Sequence, residues 1–175
     1  MLTPAHRHHF LVTDLMNSFI ATEPSNTPPT PEAGATITND GWFPPIDLNT
    51  LRSTMRLDGT VTHERLVDAV IEAIAYTNAQ LSTWQAQQVA TGYASLADVP
   101  ASQVNQESVK LGHYRSAVYR WAQADLTERY RDFDSTQSGH AEADQLSATV
   151  DDHRRAAHWA ISDIAGRQRN TVELI

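Results

Sequence analysis

Residues 62–92 read Thr-His-Glu-Arg-Leu-Val-Asp-Ala-Val-Ile-Glu-Ala-Ile-Ala-Tyr-Thr-Asn-Ala-Gln-Leu-Ser-Thr-Trp-Gln-Ala-Gln-Gln-Val-Ala-Thr-Gly. Side chains that can be buried recur at spacings of mostly three and four, which is one face of an α-helix: Leu66, Val70, Ala73, Ile74, Thr77, Leu81 and Trp84. Thr62 is a favoured N-cap residue, and Gly92 suits the left-handed conformation that ends many helices. The pattern predicts one long helix from Thr62 to about Thr91.

Helical patterns lie on both sides of this stretch. Before it, Asp47 is a good N-cap for a short first helix carrying Leu48, Leu51 and Met55, which Asp58-Gly59 ends. After it, apolar stripes predict a third helix over about 106–132 and a fourth over about 140–165. Each helix has one stripe to bury and the connections are short, so we predict an all-α antiparallel bundle of about four helices, three of them long.

The two ends of the chain have a different texture. Seven of the eight prolines lie in the first 45 residues, so we predict an extended or disordered N-terminal arm over residues 1–41. Trp42, Phe43 and Ile46 are expected to anchor this arm to a helical domain over residues 42–166. Residues 167–175 are predicted to form a C-terminal tail.

Composition limits the possible functions. The chain has no cysteine, which excludes disulfides and thiolate chemistry and fits assembly in a reducing cytoplasm. No apolar run predicts a membrane span or a signal peptide. The formal net charge is −8 and Lys110 is the only lysine, which is unfavourable for sequence-independent DNA binding. The acidic excess is explained either by solubility or by a surface that DNA passes without sticking.

No motif indicates an enzyme. There is no Gly-x-Ser-x-Gly elbow, no His-Glu-x-x-His pattern and no glycine-rich phosphate loop. The cluster His6, His8 and His9 lies in the predicted arm without a nearby carboxylate, and His153 falls on an apolar stripe. We therefore predict no catalytic residue, no cofactor and no metal.

One segment is unusual for a monomeric bundle. Residues 73–97 contain no charged side chain, yet they keep polar and aromatic ones such as Tyr76, Trp84 and Tyr93. Loss of charge with retention of aromatic groups is typical of the core of a protein–protein interface. A glutamine-rich solvated face is the alternative interpretation.

Short stretches spanning residues 43 to about 168 carry a family resemblance: Phe43-Pro-Pro-Ile-Asp47, Met55-Arg-Leu57, Thr77-Asn-Ala-Gln-Leu81, Gly92-Tyr-Ala-Ser-Leu-Ala-Asp-Val-Pro-Ala101, Glu107-Ser-Val-Lys110, Tyr114-Arg-Ser-Ala-Val118, Leu126-Thr-Glu-Arg-Tyr-Arg131 and Arg155-Ala-Ala-His-Trp-Ala-Ile161. In this order they resemble the head completion (head-stabilisation) protein family of contractile-tailed temperate phages. The resemblance implies a helical connector subunit of the virion head–tail junction. Such a subunit completes the DNA-filled head on the portal protein and offers a docking surface to neck or tail-terminator proteins.

The resemblance also implies a homo-oligomeric ring, a dodecamer in related adaptors, through which DNA passes without sequence-specific binding. A ring needs a heterologous contact between two different patches of the subunit. Our candidates for these subunit-interface patches are on the second and fourth helices: Tyr76, Gln80, Trp84, Gln88, Trp159 and Ile161. The candidate portal-docking residues are in the tail: Arg167, Gln168, Arg169, Leu174 and Ile175.

Two other functions are compatible with parts of the sequence. A small terminase-like or regulatory DNA-packaging protein would also be a helical oligomer, and its basic face would use the densest arginine set: Arg115, Arg120, Arg129 and Arg131. These arginines are interleaved with acids, which weakens the basic face. A metal-dependent hydrolase would have to use the histidines.

Overall fold

The computed structural model describes residues 35–57, 61–133 and 140–168, and the side chains of 130–133 and 140–148 are outside that description. Its helices are α1 (Leu48–Met55), α2 (His63–Thr91), α3 (Val109–Phe133) and α4 (His140–Ala165), with a 3-10 turn at Leu96–Asp98. The all-α prediction is confirmed. None of the described helices has the length and apolarity that a membrane span requires.

Local capping explains where the helices begin and end. The Asp47 carboxylate accepts a hydrogen bond from the Thr50 backbone N–H at 2.6 Å, and the Thr62 hydroxyl accepts one from Arg65 at the start of α2. These bonds satisfy donors that the first turn of a helix leaves free. Gly92 ends α2 at φ +105°, a conformation that an L side chain rarely adopts.

The three long helices form the bundle, and α3 packs against both α2 and α4. Contacts between α3 and α4 run antiparallel, because Lys110 at the start of α3 meets Ile164 at the end of α4, while Glu128 pairs with Arg154. The core between the helices contains fully buried side chains from each of them: Leu66, Val70, Leu81, Tyr114, Val118 and Ile164.

Two very short antiparallel sheets accompany the helices. Strand β1 (Thr36–Ile37) pairs with β2 (Ile46–Asp47), and β3 (Gln103–Val104) pairs with β4 (Glu107–Ser108). Between β3 and β4, Asn105 and Gln106 both have positive φ, which is the geometry of a tight hairpin turn. This hairpin is the reason that α3 begins at Val109 and not near residue 106. Two-residue strands are too short to show alternation in the sequence.

The folded body begins earlier than the sequence predicts. Residues 35–41, assigned to the arm, pack on the bundle: Ala35 is buried, and its carbonyl oxygen accepts a hydrogen bond from the Leu48 N–H at 2.6 Å. The Asp40 carboxylate accepts hydrogen bonds from the N–H groups of Trp42 and Phe43. The rest of the predicted arm, residues 1–34, lies outside the described residues.

Aromatic side chains fasten this N-terminal segment to the helices, as the sequence predicts. Phe43 stacks on Tyr114 with ring centroids 4.7 Å apart, and the Trp42 indole N–H donates to the Tyr93 carbonyl oxygen at 3.1 Å. Below them, the Tyr114 hydroxyl donates to Asn78 at 2.6 Å and accepts from Asn39 at 2.7 Å. The segment is therefore held by both ring packing and a polar network.

Candidate assembly surfaces

The second half of α2 presents a long exposed side that carries no charge. After Leu81, only Trp84, Gln85 and Gln88 of α2 are partly buried, and the other side chains of the helix are exposed. Among the exposed positions, small residues form a row with a spacing of three or four: Ala75, Ala79, Thr83, Ala86 and Ala90. We call this row the α2 outer face. Val89 lies beside it with 51% of its surface exposed.

The interface residues predicted on α2 occupy different environments. Gln80 is exposed, whereas Tyr76, Trp84 and Gln88 are half-buried within the subunit. Trp84 lies edge-on to Trp42 with centroids 5.8 Å apart, and the Lys110 ammonium lies 5.1 Å from its ring. Much of the Trp84 ring is thus used inside the subunit, and its contribution to a subunit contact stays a prediction.

An aromatic cluster lies where the three long helices meet at the surface. Tyr76 of α2 stacks on Trp121 of α3 with centroids 3.6 Å apart and an angle of 8° between the rings. His158 of α4 is exposed, and its Nε2 lies 3.3 Å from the Tyr76 hydroxyl. The Arg154 guanidinium lies 5.8 Å from the Trp121 ring. Burial raises the pKa of the Tyr76 hydroxyl, so it stays neutral at ordinary pH.

Tyrosine, tryptophan and arginine are the residues that dominate binding energy at protein interfaces. The interface residues predicted from the sequence include only Tyr76 of this cluster, because Trp121 falls on the apolar stripe of the predicted third helix. Contact between side chains on different helices, such as Tyr76 and Trp121, has no local signal in the sequence. The exposed edge of this cluster is a second candidate surface.

Of the two interface residues predicted on α4, only Trp159 has substantial exposed surface in the structure. Trp159 is half-buried, and the Arg155 guanidinium lies 5.9 Å from its ring. Ile161 is only 3% exposed and packs into the core of its own subunit, as does Ile164. Ile161 therefore has little surface to offer a neighbouring subunit. The reason is that residues 150, 157, 160, 161 and 164 together form the inward side of α4.

The end of α4 leads into the predicted docking tail. Gly166 adopts φ +67°, and the Arg167 N–H donates to the Ser162 carbonyl oxygen at 2.9 Å, which closes the helix. Arg167 and Gln168 are exposed there. Arg169, Leu174 and Ile175 lie outside the described residues.

The arginines of the DNA-binding alternative are partly neutralised by acids. Arg115 forms a two-pronged ion pair with Glu107, and the pKa of Glu107 is lowered mainly by that hydrogen bond. Arg129 pairs with Asp125 at 3.0 Å. The side chain of Arg131 lies outside the described residues. This arrangement does not favour a continuous basic face.

The histidines show no metal-binding arrangement in the part of the chain that the structure describes, where no group of three or more potential ligands is close together. His153 is half-buried, and its pKa is lowered by burial and then by the charge of Arg120. His6, His8 and His9 lie outside the described residues.

Comparison with known proteins identifies the family. Residues 37–175 match the family model described as phage head completion protein (GPL). The chain belongs to this head completion protein family. It is 40% identical over 139 residues to the head completion/stabilization protein of Escherichia phage P2, a match that covers 79% of this chain and 82% of that relative. No solved structure matches the chain.

Membership in the head completion protein family confirms the resemblance seen in the sequence. The family match starts in β1, so it includes the N-terminal segment that packs on the bundle and all of the described helices. Residues 1–36 lie outside the match.

Proposed function

We propose that this chain is a structural, non-enzymatic subunit that completes and stabilises the DNA-filled phage head. In this proposal it forms a ring under the portal protein and provides a docking surface for neck or tail proteins. The subunit is assembled in the host cytoplasm and resides in the virion at the head–tail junction. The family and the name of the phage P2 relative support the head-completion role.

The α2 outer face is the observation that carries the ring proposal. An exposed helix of a monomer usually has charged residues on its solvent side, whereas residues 73–97 have none. Small side chains on this face allow a neighbouring backbone to approach closely. Gln80 lies near this row, and Tyr76, Trp84 and Gln88 flank it on the partly buried side.

A closing ring needs a second, different patch for this face to meet. The exposed edge of the Tyr76–Trp121 stack with Arg154, and Trp159 beside Arg155, supply side chains of the kind found at interface hot spots. Portal docking is proposed for the tail from Arg167 to Ile175. The conformational entropy lost when such a tail becomes ordered on binding would be offset by the burial of Leu174 and Ile175.

The charge of the chain suits a channel that DNA crosses. A net charge of −8 repels phosphates, and two of the arginines in the densest set are paired with acids. Sequence-independent DNA affinity needs cationic groups that are free to replace counterions. The proposed ring therefore passes DNA without gripping it.

The ring proposal is tested by mixing the purified chain with purified portal and imaging the particles by electron cryo-microscopy. Wild-type protein is expected to add a ring beneath the portal. Ala79→Glu together with Ala86→Glu places charges on the α2 outer face and is expected to abolish the ring. Glutamate is a good helix former, so these exposed substitutions leave the monomer folded.

Ala101→Glu is the matched control, because Ala101 is exposed but lies outside α2. It should form rings like the wild type. A wild-type chain that stays monomeric beside the portal, but shifts DNA in a gel at low salt, would instead support the small terminase-like alternative. Deletion of residues 168–175 should prevent portal attachment without unfolding the bundle, and intact attachment would exclude the docking role of the tail.

A further inference from the structure

A groove of about 510 Å³ lies between α1 and α3, apart from the surfaces proposed for the ring contact and the docking tail. Its walls include Arg56, Arg115, Tyr119 and Arg120. Gly112 lines the same groove, and a Cβ added there would meet no atom within 4 Å. The wall is therefore bare at this point, which leaves room for an incoming side chain.

The groove carries positive charge that the carboxylates of the described residues neutralise only in part. The charge of Arg115 is matched by Glu107, with which it forms a two-pronged ion pair. Among the described residues, Arg56 has no carboxylate partner, and the only hydrogen bond of the Arg120 side chain is from Nε to the Ser116 hydroxyl at 3.3 Å. Two guanidinium groups without a carboxylate partner among the described residues thus flank one opening, in a chain whose net charge is −8.

The floor of the groove has an unused polar group. Tyr119 is 5% exposed, and its hydroxyl has no hydrogen-bond partner among the described residues. Buried polar groups normally have a partner, because leaving one unpaired costs free energy.

A complementary surface exists elsewhere on the same chain. Glu64, Asp68 and Glu72 are exposed on the N-terminal half of α2 at intervals of one turn, and none forms an ion pair within the described residues. Eight residues of helix separate the first from the last, a distance of about 12 Å. The row continues into the α2 outer face, since Ala75 and Ala79 follow Glu72 at spacings of three and four.

We propose that the groove between α1 and α3 receives the acidic row of α2, Glu64, Asp68 and Glu72, from a neighbouring copy of this chain. The inference rests on the proposed ring and adds a charged contact, made by the groove, to its heterologous interface. Arg56 and Arg120 then pair with carboxylates of the neighbour, while the α2 outer face of that neighbour packs alongside.

Two observations favour a second copy of the chain over DNA as the occupant. The acidic row and the charge-free face lie along one side of one helix, so a single docking event covers both. Two guanidiniums are few for DNA, whose affinity grows with the number of phosphates neutralised. The lining also contains no residue of α2, so the groove and the row are separate patches, as a heterologous contact requires.

The test reverses the charges of each patch and then of both together. Arg56→Glu with Arg120→Glu, and separately Asp68→Arg with Glu72→Arg, are each expected to abolish ring formation on purified portal. The chain with all of these substitutions should form rings again, because each groove then meets a row of opposite charge. Sedimentation velocity and electron cryo-microscopy measure the rings, and circular dichroism confirms that each variant is folded.

Gly112 provides a variant that tests the groove without changing charge. Gly112→Met fills the bare wall of the groove and, as a replacement of glycine inside a helix, should not unfold the subunit. It is expected to abolish ring formation, whereas Gly112→Ala should weaken it much less.

The outcomes separate this inference from the proposed function. If wild type forms rings and the groove variants form them equally well, the groove inference is wrong and the ring stands. If wild type forms no ring on the portal, both are overturned. If wild type retains DNA at low salt and Arg56→Glu with Arg120→Glu releases it, the groove is a phosphate site and the inference is overturned.

Discussion

Lys110, the only lysine of the chain, donates its ammonium to the carbonyl oxygen of Ile164 at 2.6 Å. The bond joins the first turn of α3 to the last turn of α4, where backbone carbonyl groups lack partners within the helix. A cation at the C-terminal end of a helix is also favoured by the helix dipole. Lys110 therefore fastens the two helices at the end of the bundle from which the predicted docking tail leaves.

Replacement of Lys110 by methionine keeps the stem and removes this bond. We expect the free energy of unfolding to fall by about 1.5–3 kcal/mol, the range for hydrogen bonds to charged groups. Urea denaturation measures the change. Arg129→Met is the control, because its ion pair with Asp125 lies at an exposed position and should contribute less than about 1 kcal/mol. Equal losses in the two variants would contradict the role of Lys110.

Two tyrosines of α3 provide a matched test of the polar network. Tyr114→Phe leaves both Asn39 and Asn78 without their partner, so we expect a loss of about 1–3 kcal/mol in the free energy of unfolding. Tyr119→Phe removes a hydroxyl that has no partner among the described residues, and should be neutral or stabilising. Thermal and urea unfolding of both variants checks the difference, and a larger loss for Tyr119→Phe would refute it.

Two isoleucines test the placement of Ile161 in the core. Ile161→Ala should destabilise the isolated subunit by about 2–5 kcal/mol, because it creates a cavity in a packed interior. Ile71 is 49% exposed, so Ile71→Ala should cost much less. Urea denaturation of the portal-free protein gives both values. An unchanged free energy of unfolding in Ile161→Ala would contradict the placement of Ile161 in the core.

Replacement by alanine should change the stability of the fold in opposite directions at two glycines. Gly92 ends α2 at φ +105°, so Gly92→Ala should lower the free energy of unfolding by about 1–2 kcal/mol through backbone strain. Gly112 lies inside α3 with open space around it, and Gly112→Ala should raise stability by about 0.5–1 kcal/mol. Melting temperatures of the two variants, compared with wild type, decide this prediction.

Acid stability should depend on the Glu107–Arg115 pair. The hydrogen bond from Arg115 lowers the pKa of Glu107 from its ordinary value of 4.5 in the folded state. The resulting stabilisation is present above pH 4.5 and is lost as pH falls through the lowered pKa, since protonation breaks the pair.

Glu107→Gln should therefore reduce stability at pH 7 and flatten its decline below pH 4.5. The Arg115 side chain is 33% exposed and that of Glu107 is 42% exposed. Solvent therefore screens the pair, and the loss in the free energy of unfolding should stay below about 1 kcal/mol. Urea denaturation between pH 3 and 7 measures it. Residual acid sensitivity is expected from Asp47, whose pKa is lowered by its hydrogen bonds with Thr50. An unchanged pH profile in Glu107→Gln would contradict the assignment.

The helix boundaries were predictable because the signals that set them are local. Asp47, Thr62, Gly92 and Gly166 each act on the backbone within one turn of their own position, and the apolar period of α2 repeats along a single element. The absence of cysteine and the scarcity of lysine likewise limit the possible chemistry of the chain without reference to its fold. The predicted start of α3 was a few residues early because the β3–β4 hairpin depends on pairing across a turn.

The surfaces depend on contacts between distant residues, and this is why the sequence alone left them incomplete. Helical spacing shows which residues share a face, but it does not show how wide the buried part of that face is. The spacing alone therefore does not reveal that Ile161 is packed in the core of its own subunit. The pairing of Thr36–Ile37 with Ile46–Asp47, the stack of Tyr76 on Trp121, and the groove between α1 and α3 join different elements. Local propensity determined the helices of this protein, whereas the packing of one helix against another determined which side chains remain for its partners.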